Sequence, residues 1–108
     1  MAKILLIEDD KGNMESLKRI FMSEGHEVEA IMYEGVNYVP NSRFSHAIID
    51  GLKGHWGEVA KSIEDYCDKI LIYSTDVDKS MCQKAAEMGY FALSKKEELQ
   101  KVIDFLDG

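Results

Sequence analysis

The chain has 108 residues, 45% of them hydrophobic, which suits one globular domain around a single core. Its formal net charge of −7 argues against direct binding to nucleic acid. No apolar run approaches the roughly 20 residues of a membrane span, and acids follow the first apolar residues too soon for a signal peptide.

Lys3 to Asp10 sets the pattern. Ile4, Leu5, Leu6 and Ile7 run straight into Glu8, Asp9 and Asp10. A short continuous apolar run predicts a strand buried on both faces of a parallel sheet. The acids then lie at its carboxyl end, where open α/β sheets bind ligands. At an effective dielectric of about 20, two like charges about 4 Å apart cost about 4 kcal/mol. Such acids either splay into water or share a cation.

Met14, Leu17, Ile20 and Phe21 recur at helical spacing, with Asp10 as a helix-start acid and Gly25 as the stop. Val28 to Met32 is a second strand. Between Tyr33 and Ser42, Val36 and Val39 suggest a short helix weakened by Gly35 and Pro40. Ala47, Ile48 and Ile49 then repeat the opening motif and run into Asp50. Gly51, Gly54 and Gly57 make a flexible turn. Trp56, Val59, Ala60, Ile63 and Cys67 mark one face of a helix.

Ile70 to Tyr73 form a fourth buried strand ending at Ser74 and Thr75. Asp78 is an N-cap for a helix carrying Met81, Cys82, Ala85 and Met88, stopped by Gly89. Tyr90 to Leu93 is a short fifth strand ending at Ser94 and Lys95. Ser94-Lys95-Lys96-Glu97 reads as a capping box, which would start the last helix almost at the lysine. Leu99, Val102, Ile103 and Leu106 mark that helix. Cys67 and Cys82 read as reduced core thiols of a cytoplasmic protein. His26, His46 and His55 read as surface or loop residues.

Five strand–helix repeats predict an α/β fold, a doubly wound parallel sheet with right-handed crossovers. Glu8, Asp9, Asp50, Ser74 and Lys95 should therefore meet at one sheet edge. Three carboxylates can hold Mg²⁺, which prefers oxygen ligands. A hydroxyl and an ammonium beside them suit a phosphoryl group, and a carboxylate there can accept one.

In this arrangement the chain resembles a response-regulator receiver domain of two-component signalling, chemotaxis-regulator-like but short. The resemblance rests on Lys-Ile-Leu-Leu-Ile-Glu-Asp-Asp, Ala-Ile-Ile-Asp at Asp50, Ile-Leu-Ile-Tyr-Ser-Thr at Ser74 and Thr75, and Ala-Leu-Ser-Lys at Lys95. It covers residues 1–108 as one receiver domain. It implies a flavodoxin-like, five-stranded (βα)5 fold with shortened second and third helices. It implies that Asp50 is the phosphoacceptor and that Ser74 and Lys95 contact the phosphoryl group. Mg²⁺ would be held by Glu8, Asp9, Asp50 and the backbone carbonyl of Leu52. The donor would be a sensor histidine kinase or a phosphotransfer protein, and the output an unidentified downstream protein. Such a domain is a signalling module that catalyses only its own phosphorylation and dephosphorylation.

The chain departs from the family pattern in places. The loop after Asp50 has no Pro, and Lys96 stands where Pro usually follows the lysine. Ala92 falls where the family carries a switch aromatic. The missing switch aromatic and the shortened helices motivate an alternative, a phosphorylation-independent receiver that serves as a protein-binding module. A metal-dependent phosphohydrolase fits less well, because its usual acids alternate after the first strand.

Overall fold

The structure, a computed structural model, describes residues 2–36, 38–97 and 99–107. Strands β1 (Lys3–Glu8), β2 (Glu27–Met32), β3 (Phe44–Ile49), β4 (Cys67–Ser74) and β5 (Phe91–Ser94) form one parallel sheet in the order β2-β1-β3-β4-β5. Helix α1 (Lys11–Ser23) follows β1. Helix α2 (Trp56–Ile63) lies between β3 and β4, α3 (Lys79–Glu87) between β4 and β5, and α4 (Leu99–Asp107) comes last. This is the expected doubly wound, flavodoxin-like arrangement.

The apolar runs explain the layering. Successive strand side chains point to opposite faces. Ile4 and Leu6 meet Leu17 and Phe21 of α1 and Val102 and Leu106 of α4. Leu5 and Ile7 face the other way, into a cluster with Trp56, Val59, Ala60 and Ile63 of α2 and Ala85 of α3. Each of the Val, Leu, Ile and Phe side chains among them gains roughly 1.5–3 kcal/mol on full burial. A strand this apolar belongs inside the sheet, whereas β2, with Glu27 and Glu29, tolerates the edge.

The helix ends follow their capping residues. Asp10 accepts the Asn13 N–H at 3.0 Å and starts α1. Asp78 accepts the Met81 N–H at 2.8 Å and starts α3. Gly25 and Gly89, both at positive φ, lie just beyond the helices they stop.

Five sequence expectations need correction. No helix lies between β2 and β3 among the described residues, so the second helix is missing rather than shortened. Val36 and Val39 are 79% and 65% exposed, while Tyr33 and Tyr38 pack on the sheet instead. The Tyr38 hydroxyl donates to Glu29 at 2.6 Å. The third helix is short as expected, but it stops at Ile63. Cys67 begins β4 after a 3₁₀ turn, Glu64–Tyr66. Cys82 is exposed on α3 and is not a core thiol. His26 and His46 are buried, because His46 lies inside β3 and the His26 ring accepts the Ala2 N–H at 2.9 Å. Finally, α4 begins at Leu99. The Glu97 carboxylate does accept the Ser94 N–H at 3.0 Å, but this closes a turn ahead of the helix.

Candidate functional site

Parallel strands bring their carboxyl ends to one edge. β1 ends at Glu8 and β3 leads into Asp50, whose N–H reaches the Ile7 carbonyl at 2.9 Å. β4 ends at Ser74, whose carbonyl accepts the Lys95 N–H at 2.8 Å. The ladder thus holds the backbones of Asp50 and Lys95 one residue beyond their strands.

The Lys95 ammonium bridges two acids, 2.6 Å from Asp50 Oδ1 and 2.9 Å from Glu8 Oε2. Glu8 is buried, and the side chains of Asp50 and Lys95 nearly so. Burial raises the Glu8 carboxyl above its ordinary value, and the Asp50 charge adds to this against the pull of Lys95. Burial also pushes Asp50 up, but hydrogen bonds from Lys95 and from the Leu52 N–H outweigh it and hold Asp50 below the ordinary value. Lys95 is raised, because its two carboxylate partners overcome its burial. Asp50 is thus an ionised carboxylate facing an ammonium.

Oxygens of Glu8, Asp9 and Asp50 lie within 4.8 Å of one another. Among the described residues, Glu8 Oε1 is buried with no hydrogen-bond partner. An orphaned carboxylate oxygen costs about 1–3 kcal/mol or more. A hard cation among three carboxylates would satisfy it, so the donor set fits Mg²⁺. Asp10 caps α1 and stands apart from this group.

The loop after Asp50 is shaped for the site. Leu52 and Lys53 both have positive φ, an unfavourable conformation costing about 1–2 kcal/mol per residue. The Leu52 N–H donates to Asp50 Oδ2 at 3.0 Å, and its side chain is buried with Trp56 and Val59. Those contacts offset the strain. The Leu52 carbonyl accepts the His55 N–H at 3.0 Å, which leaves it one lone pair.

A cavity of about 610 Å³ opens beside Asp9 and Asp50, with Ser74 and Thr75 on its wall. Trp56, Lys53 and Lys84 also line it. Sequence reading passed over Lys84, because helical periodicity assigns it to a solvent face. The His55 ring lies 6.2 Å from that of Tyr33. Ala92 packs against the core opposite Ile72. Neither neighbouring aromatic takes over its place. The Tyr90 hydroxyl donates to Glu64 at 2.6 Å, and the Phe91 ring meets Phe105 at 5.3 Å. Among the described residues, no helix is long and apolar enough to cross a membrane.

No family profile matches the chain, and no curated protein matches it. Solved structures do. The HemR receiver domain of Leptospira biflexa is 23% identical, with 99% of this chain and 92% of that one covered at a TM-score of 0.72. A two-component response regulator from Clostridium difficile is 18% identical, with 99% and 93% covered at a TM-score of 0.79. The chemotaxis protein CheY4 of Vibrio cholerae is 20% identical, with 99% and 97% covered at a TM-score of 0.76. The chain has the fold of response-regulator receiver domains.

Proposed function

We propose that the chain, over residues 1–108, is a single receiver domain that takes a phosphoryl group onto Asp50. The observation that supports this most is the Lys95 bridge between Asp50 and Glu8 beside a three-carboxylate cluster with an orphaned oxygen. The donor is a phosphohistidine on a sensor histidine kinase or phosphotransfer protein. An Asp50 oxygen attacks phosphorus while the phosphorus–nitrogen bond breaks, and the electron pair returns to the donor imidazole. Such transfers depend mainly on alignment and charge neutralisation. Lys95 keeps Asp50 ionised and then pairs with a phosphoryl oxygen. Ser74 donates a hydrogen bond to another. Mg²⁺ held by Glu8, Asp9, Asp50 and the Leu52 carbonyl would neutralise the remaining oxygens. The added charge biases the surface toward or away from a downstream protein. This reading puts the chain in the cytoplasm, where free thiols such as Cys67 and Cys82 persist.

Incubation with acetyl phosphate and Mg²⁺ should add one phosphoryl group by intact mass. Asp50→Asn and chelation of the metal should each abolish the adduct. An unlabelled parent, or a variant labelled as well as the parent, would sink the reading. Ala92, packed against the core where an aromatic switch is expected, favours a second reading: a receiver that binds its partner without phosphorylation. Partner affinity that stays unchanged after labelling would support that reading.

A further inference from the structure

Gly51 follows Asp50 and is buried. Its backbone sits at φ −61° and ψ −23°, where any residue is comfortable. Conformation therefore gives no reason for a glycine. Space does. A Cβ at position 51 would stand 2.4 Å from the Ser74 hydroxyl oxygen and 3.0 Å from the Ser74 Cβ. The Ser74 hydroxyl occupies the volume that a side chain would take.

Resting on the reading of Asp50 as phosphoacceptor, we propose that Gly51 is a positioning residue, whose missing side chain is the slot that sets the Ser74 hydroxyl beside Asp50. Ser74 has two ways to escape a methyl group at position 51. Its backbone could retreat, but the Lys95 N–H bond at 2.8 Å and the pairing with Ser94 hold it. Its side chain could instead turn to another staggered rotamer, which relieves the 2.4 Å contact and carries the hydroxyl away, and leaves the 3.0 Å contact with the Ser74 Cβ to a shift of a few tenths of an ångström that keeps the fold. The second route is cheaper. Replacing Gly51 should therefore harm the hydroxyl-dependent step far more than folding. Misplacing a reacting group by about 1 Å can cost about a hundredfold.

Trp56 lines the same cavity and reports on it. Its fluorescence would be followed in two titrations of the parent, Gly51→Ala, Ser74→Ala and the double variant. Mg²⁺ alone reads the carboxylates. Beryllofluoride with Mg²⁺ reads the hydroxyl as well. Gly51→Ala should leave the Mg²⁺ affinity within about twofold and weaken beryllofluoride about tenfold or more, the worth of a charge-assisted hydrogen bond. Ser74→Ala should match it, and the double variant should be no worse than either. Additive losses, or a Gly51→Ala protein that binds beryllofluoride like the parent, would overturn the inference alone. A parent that takes up no beryllofluoride overturns the phosphoacceptor reading and the inference with it. Should Gly51→Ala not fold, Gly51→Ala/Ser74→Gly decides. Recovery of the fold supports the slot, and continued failure overturns it.

Discussion

At the scale of residues, Glu8 and Asp50 share one ammonium yet sit on opposite sides of their ordinary pKa. Burial is the largest influence on both; in Glu8 it prevails with the Asp50 charge beside it, and in Asp50 the bonds from Lys95 and the Leu52 N–H outweigh it. A raised carboxyl is most compatible with the fold when protonated. Its contribution is present at low pH and lost as pH rises through the raised value, so ionised Glu8 costs stability at neutral pH. Glu8→Gln should therefore stabilise the metal-free chain by about 1 kcal/mol, as relieving a strained functional site often does. It should also weaken Mg²⁺ binding about tenfold or more. Thermal unfolding in chelator and a Mg²⁺ titration read the two effects, and a less stable Glu8→Gln protein would contradict the first. The acids, Asp50 and Lys95 were legible in the sequence because each ends an apolar run. Gly51 was not, because a glycine kept for space looks like a glycine kept for a turn.

Among the elements, α4 rests on a buried imidazole. His46 projects from β3 toward α4, its ring 5.1 Å from that of Phe105. Burial, then the nearby Lys69 and His26, lowers its pKa against the opposing pull of the Phe105 carbonyl and Asp68. The folded chain thus disfavours the charged ring. As pH falls below the ordinary imidazole value of about 6.5, the unfolded chain takes the proton first and stability is lost toward the lower folded value. Denaturant midpoints at about pH 7.5 and about pH 5.5 should differ in the parent and differ less in His46→Leu, since they bracket that ordinary value. An equal difference in both proteins would acquit His46. The β2–β3 crossover shows where periodicity misled. Val36 and Val39 keep a helical interval, but a glycine at positive φ and a proline interrupt the segment, and two tyrosines close that face of the sheet instead.

For the whole molecule, a cation held by the Glu8, Asp9 and Asp50 cluster would add to stability. A cation that binds only the folded chain adds about 2.7 kcal/mol at a hundred times its Kd. For a domain of this size that raises the melting temperature by about 10 °C or more. Mg²⁺ should give this shift in the parent and little of it in Asp9→Asn, read by calorimetry with and without chelator. A parent unmoved by Mg²⁺ would count against the metal site. By itself the sequence determined the succession of five strands, four of the helices between and after them, and the sheet edge where the acids, the hydroxyl and the lysine meet. Apolar runs and their polar ends are local signals, and parallel crossovers leave few ways to arrange them. Only the tertiary structure decided that the second helix is missing, that His46 is buried, and that Ser74 fills the space above Gly51. Each of these depends on contacts between segments far apart in the chain, and no local pattern encodes what a distant strand or helix will cover.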